Sequence, residues 1–152
     1  MKRRRPPTRC DLLARMPRVF RPRLDALQLR DLAMCHLVNL DAIATGAAEP
    51  SILWDWVGSV LVWHRAAELM GLGVAEMAPQ LGVATRLVER FARTGQVRFD
   101  GPDYQLAKIG LQVMDEIARQ VDQPTAIAAT EWGDIEVNRL ASTAGQGFRQ
   151  AA

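Results

Sequence analysis

The sequence has little cysteine, few aromatic residues and no long hydrophobic run. Its 152 residues include two cysteines, so no disulfide framework is implied and a reduced, cytoplasmic setting is expected. The most apolar window, residues 52–63, is interrupted by Asp55 and is shorter than the roughly 20 apolar residues that span a bilayer. The N-terminal basic cluster leads into prolines and more arginines rather than an apolar stretch, which argues against a secretory signal. We therefore expect no membrane partner.

Catalytic patterns are also missing. The chain shows no glycine-rich phosphate loop, nucleophile elbow, zinc pattern or paired catalytic carboxylates. His64 and Glu68 have the i, i+4 spacing of a helical metal site, but no second histidine or cysteine lies near them, which favours an ordinary surface pair. We therefore expect no metal and no cofactor, and the sequence predicts a protein that is not an enzyme.

Positive charge is distributed unevenly. Ten of the 19 basic residues lie in the first thirty positions with only two acids, Asp11 and Asp25, so this segment carries +8 and the remainder −6. Such a cluster repels itself unless an anionic partner or water surrounds it. Seventeen of the basic residues are arginine, which suits phosphate recognition but also follows from GC-rich codon usage.

The length fits one domain with a single core. Residues 1–23 contain four prolines and most of the basic cluster, which predicts a flexible basic arm. Residues 24–144 are predicted to form one helical domain, and residues 145–152 a loose C-terminal tail.

Apolar spacing predicts a mainly α fold with five or six helices. The segment from Ile52 to Met70 is apolar nearly all round, with three of the four tryptophans, and is therefore predicted to be the central helix. Two short β-prone runs flank Asp100-Gly101-Pro102-Asp103, which predicts one two-stranded β-hairpin. The remaining helices are predicted at residues 24–45, 74–94, 107–121, 125–132 and 134–140, with Asp134 as an N-cap candidate for the last.

The strongest motif is a helix-turn-helix followed by a wing. A small residue, a turn glycine and two apolar anchors have the required spacing at Ala78, Gly82, Val88 and Phe91. The predicted hairpin lies where a winged-helix protein has its wing. Pro79 within the first helix and acids at the wing tip weaken this match, so an ordinary helix–hairpin element is the alternative interpretation.

Two groups of basic residues are candidates for contacting nucleic acid. The arm would supply sequence-independent phosphate attraction, and the second helix of the motif would supply a further contact surface. An RNA, an acidic protein surface, an anionic lipid or no specific partner would also account for the arm. The candidate residues are Lys2, Arg3, Arg4, Arg5, Arg9, Arg86, Arg90 and Arg93.

Three segments carry a family resemblance: residues 37–44, residues 53–62 with their tryptophans, and residues 101–108. Together they resemble a group of small proteobacterial proteins that occur on phage, plasmid or other mobile-element regions, some of them labelled transcriptional regulators of the Fis type. The resemblance covers the body of the chain from residue 24 to residue 140. It implies a bacterial cytoplasmic protein acting on DNA or on a host defence complex, and it implies no catalytic residues.

The favoured function from sequence is non-enzymatic nucleic-acid binding, most simply to DNA, in a regulatory or accessory role for a bacterial mobile element. The alternative is a protein–protein interaction module that inhibits or recruits a host complex, for example a counter-defence inhibitor, with the acidic body and tryptophans as its contact surface. A homodimer or larger scaffold built on the apolar helix is a further alternative.

Overall fold

The computed structural model describes residues 21–150, with side chains described from residue 21 to residue 144. This part of the chain is mainly α, as the sequence predicts. The five helices are α1 (Ala26–Thr45), α2 (Pro50–Met70), α3 (Val74–Thr94), α4 (Gly101–Gln120) and α5 (Gln123–Gln150).

The α2 helix lies at the centre of the fold, where the sequence places its apolar helix. It contacts each of the other four helices, and α1 and α5 lie on either side of it without contacting each other. Leu53, Trp56 and Val60 are fully buried, because apolar residues occupy most of the helix circumference and each side has a neighbour to cover it. None of the helices in residues 21–150 has the length and hydropathy needed to cross a membrane.

Local sequence explains where the first helices begin and end. Asp25 caps α1 by accepting the backbone N–H of Gln28, whose side chain in turn accepts the backbone N–H of Asp25. Gly46 and Gly71 end α1 and α2 with positive φ, a conformation that glycine adopts without steric cost.

The predicted β-hairpin is wrong. Residues 96–100 form an extended connection and α4 starts at Gly101, so within residues 21–150 the only β-type pairing is an isolated bridge between Arg23 and Asp122. Asp100 accepts the backbone N–H of Asp103 at 2.8 Å, which makes Asp-Gly-Pro-Asp a helix N-cap rather than a hairpin turn. The β-like alternation instead reflects the burial of Val97 and Phe99 against the core.

The helix-turn-helix prediction, and the winged-helix arrangement with it, is also wrong. The α3 helix runs without interruption from Val74 to Thr94, and Gly82 is not among the glycines with positive φ. Pro79 is the sixth residue of this helix, and the helix continues through it although proline has no N–H to donate to the carbonyl oxygen of Ala75. The four matching spacings are therefore those of one amphipathic helix.

The two short closing helices are a single helix, α5. The N-cap candidate at position 134 indicated a break, but the preceding Gly133 is buried where α5 crosses α2. A Cβ atom there would lie 2.5 Å from Val62 Cγ2, so the glycine allows close approach of the helices rather than a turn. The helix continues to Gln150 and so includes residues assigned from sequence to a loose tail.

Candidate functional site

Two of the predicted nucleic-acid contacts, Arg86 and Arg90, are engaged within the protein. Arg86 donates from Nε and Nη2 to Asp103 Oδ1, at 2.9 and 2.6 Å. Arg90 donates to Asp100 Oδ2 and to the carbonyl oxygen of Arg98, both at 2.7 Å. These bonds join α3 to the start of α4, so the acids that the sequence places at a wing tip neutralise the arginines instead.

Electrostatics reinforce this junction. The hydrogen bond to Asp103 raises the pKa of Arg86, and the backbone N–H of Asp103, followed by Arg90, lowers the pKa of Asp100. The side chain of Asp103 is 3% exposed and is held by Arg86 at the N-terminus of α4, while its Oδ2 has no hydrogen-bond partner. This cluster is a structural tie between two helices.

The other predicted contacts are Arg93 and the residues of the arm. Arg93 lies at the end of α3 and is exposed. The arm residues Lys2, Arg3, Arg4, Arg5 and Arg9 lie outside the described residues, so their role stays a prediction.

A different feature stands out on the opposite side of the fold. Because α1 and α5 do not touch, they leave a groove of about 1040 Å³ between them, with α2 as its floor. Hereafter it is called the α1–α5 groove. Trp54, Gly58 and Val62 are among the floor residues, and Trp63 also lines it. The walls include Leu32 and Val38 of α1 and Ile127 and Val137 of α5.

The charge of this groove has one sign. Its lining includes three carboxylates, Asp55, Glu131 and Asp134, all exposed, and no lysine or arginine. The uncharged polar lining comes from residues such as Asn39, Ser59 and Asn138. An apolar floor beneath an acidic rim is suited to a cationic, amphipathic ligand.

His36 lines the groove and is 4% exposed. Its Nε2 accepts the Nε1–H of Trp63 at 3.3 Å, so the neutral ring carries its proton on Nδ1. Nδ1 is buried and has no hydrogen-bond partner. Burial lowers the pKa of His36, with the charge of Asp115 acting in the opposite direction, so the ring is neutral at pH 7. A buried N–H donor is thus left without an acceptor.

Metal-binding geometry is not found in the part of the chain that the structure describes, where no three His, Cys, Asp or Glu residues converge. His64 Nδ1 lies 3.7 Å from Glu68, but the other Glu68 oxygen accepts a 2.8 Å bond from Arg65. This arrangement agrees with the interpretation of His64 and Glu68 as a surface pair.

Sequence reasoning missed the groove because it depends on a gap between helices that are distant in the chain. One signal was available. The α1 helix contains apolar residues on more than one face, which a helix that buries a single face does not need. His36 is not among the candidate residues from sequence, and only the fold shows it in the groove with Trp63.

Comparisons with protein-family models, with curated proteins and with solved structures found no match to this chain.

Proposed function

We propose that the protein is a non-enzymatic protein–protein interaction module whose α1–α5 groove binds a cationic, amphipathic segment of another protein. The observation that supports this most is the groove itself, with an apolar floor, three acidic lining residues and no basic one. This function is the alternative weighed from sequence, and the structure favours it over a DNA-reading helix because Arg86 and Arg90 are paired internally.

The size and shape of the groove suit a segment of polypeptide. About 1040 Å³ lies just above the roughly 300–1,000 Å³ of small-molecule pockets. The groove runs along two helices, with lining residues from Leu24 to Asn39 and from Ala126 to Asn138. A helix laid between two helices and over a third would bury one apolar face, as in helix-in-groove recognition.

Charge then sets the choice of occupant. A basic segment would place its cations beside Asp55, Glu131 and Asp134, whereas an acidic segment or a phosphate backbone would be repelled.

The test uses two designed helical peptides of equal length, one of leucine and lysine and one of leucine and glutamate, titrated into the full chain. Tryptophan fluorescence or calorimetry detects binding. We expect saturable binding of the lysine peptide, with an affinity that falls as the salt concentration rises. The glutamate peptide should not bind.

Charge reversal in the groove supplies the matched control. Glu131→Lys/Asp134→Lys should weaken lysine-peptide binding at least tenfold, because both residues line the groove and would then repel the peptide. Both are exposed, so the substitutions should not disturb the core. Glu76→Lys/Glu89→Lys makes the same change in net charge on exposed residues of α3 and should leave binding within twofold. Equal losses in both variants would show non-specific attraction and would remove the proposal.

A second proposal is the nucleic-acid binding favoured from sequence, now resting on the N-terminal charge alone. Seven of the first 20 residues are lysine or arginine and one is acidic. If the arm neutralises about four phosphates, the logarithm of DNA affinity falls against the logarithm of salt with a slope near −3.6. Deleting residues 1–20 should abolish this binding, and Arg86→Ala should leave the slope unchanged because Arg86 is paired with Asp103.

A further inference from the structure

The outward face of α1 carries four apolar side chains that are at least half exposed. They are Leu27 at 63%, Met34 at 53%, Leu37 at 50% and Val38 at 57%. The opposite face of the same helix buries His36, Leu40 and Ile43 against the core. The exposed set, called here the α1 stripe, follows the i, i+7, i+10 and i+11 spacing of one helix face.

This clustering distinguishes the α1 stripe from other exposed apolar residues. Ile109 is 54% exposed and stands singly on α4, and Ile127 and Ile135 on α5, 43% and 67% exposed, are eight residues apart, as scattered surface apolar residues commonly are. Met34, Leu37 and Val38 adjoin one another on one helix face, and such a patch marks a surface that another helix covers.

Charges at the two ends of the α1 stripe identify what covers it. Arg30 lies towards the N-terminal end and Asp41 towards the C-terminal end, and both are exposed. Arg30 lies 3.5 Å from Asp31, but both side chains are about 70% exposed, so this ion pair contributes little to stability. The α1 stripe is therefore complementary to itself when it is turned end to end.

We propose that a second copy of this chain covers the α1 stripe, with the two α1 helices antiparallel about a two-fold axis between residues 35 and 36. Met34 of each protomer then faces Leu37 of the other, and Arg30 of each protomer faces Asp41 of the other. A parallel pairing would instead bring Arg30 against Arg30 and Asp41 against Asp41. An isologous, antiparallel contact is thus the one that the charges permit.

The dimer is expected to be weak. A 20-residue helix is about 30 Å long, and one helix pair buries less than the roughly 1,200–2,000 Å² of a standard stable interface. Dimer formation should therefore depend on protein concentration in the micromolar range or above.

This inference does not rest on the proposed peptide binding, and the residues separate the two. Leu27 and Leu37 belong to the α1 stripe but are not among the groove-lining residues, whereas Glu131 and Asp134 line the groove and lie outside the stripe. Met34 and Val38 belong to both, so dimer formation and peptide docking should oppose each other modestly.

The experiment is sedimentation analysis of the full chain over a wide concentration series. We expect a reversible monomer–dimer equilibrium. Leu27→Glu/Leu37→Glu should remain monomeric at every concentration, with its helical circular dichroism unchanged because both sites are exposed. The matched control, Ile109→Glu/Ile135→Glu, adds the same charge at exposed apolar sites and should dimerise like the original chain.

Charge exchange tests the antiparallel register. Arg30→Asp should weaken the dimer at least fivefold, and the double variant Arg30→Asp/Asp41→Arg should restore it. A monomer at the highest concentration, a dimer unaffected by Leu27→Glu/Leu37→Glu, or a charge exchange without recovery would each overturn the inference. Peptide titration of Leu27→Glu/Leu37→Glu keeps the two proposals distinguishable, because this variant should still bind the lysine peptide.

Discussion

The two sides of the α2 helix differ in how closely their helices pack and in where their charged residues lie. On the α3–α4 side, Arg86 and Arg90 are bonded to Asp103 and Asp100, and the helices approach closely. On the α1–α5 side, the helices stand apart, acids line an apolar groove, and His36 Nδ1 has no partner. Charged residues that look available in sequence are thus structural. Buried polar atoms without a partner occur on both sides, Asp103 Oδ2 and Gln80 Oε1 among them, so the open groove is what makes the α1–α5 side the better candidate for recognition.

The largest effect on stability is expected from a larger side chain at a tightly packed glycine on the α3–α4 side. A Cβ at Gly110 would overlap the side chain of Gln80, which is 1% exposed and donates to the carbonyl oxygen of Leu106 at 3.0 Å. Gly110→Ala should therefore lower the free energy of unfolding by about 2 kcal/mol, within the range for overpacking. Urea denaturation measures it.

Gly82→Ala is the control for that substitution. Gly82 lies inside α3 with ordinary helical φ, and a Cβ there meets only the flexible end of Arg86 at 3.2 Å. Stability should stay unchanged or rise by up to about 1 kcal/mol, because alanine favours helix over glycine. A loss of stability from Gly82→Ala as large as that from Gly110→Ala would restore the turn that the helix-turn-helix prediction required.

Breaking the tie between α3 and α4 should have the next largest effect. Arg86→Ala leaves the carboxylate of Asp103, which is 3% exposed, with Arg90 at 3.9 Å as its nearest cation. Because Arg86 itself is 47% exposed, the expected loss is about 1–2 kcal/mol rather than the full cost of a buried pair. Arg93→Ala, at an exposed position, should change stability by less than about 0.5 kcal/mol.

His36 should make the free energy of unfolding depend on pH. Its folded pKa lies below the ordinary 6.5, so the unfolded chain binds the proton more readily. Stability should thus be intact above pH 6.5 and fall as pH drops from there towards the folded pKa, by at most about 1.4 kcal/mol per pH unit. Thermal unfolding of the original chain and of His36→Gln over this pH window measures the pH dependence of stability. The contribution of His36 to that dependence should be absent in the variant.

The smallest effect on stability is expected in the groove. Glu131→Lys/Asp134→Lys alters exposed side chains that make no close ion pair in the described residues, so unfolding should change by less than about 0.5 kcal/mol. A large destabilisation would show that the groove is part of the framework, and would erase the contrast between the two sides.

Helix content and the central place of α2 were predictable from sequence because apolar periodicity and terminal glycines act locally. The hairpin failed because Asp100-Gly101-Pro102-Asp103 serves equally as a turn or as an N-cap, and only the burial of Asp103 beside Arg86 decides between them. Gly82 and Asp134 both indicated breaks, yet both lie within helices. The groove could not be predicted, since it depends on how far apart α1 and α5 stand.

The most direct test is residue-resolved mapping of lysine-peptide binding by NMR on the isotope-labelled full chain. Perturbations concentrated at groove residues such as Trp54, Glu131 and Val137, with the resonances of Arg86 and Asp103 unmoved, are the predicted result. Perturbations centred on α3 and α4, or none at saturating peptide, would contradict the assignment of recognition to the α1–α5 side.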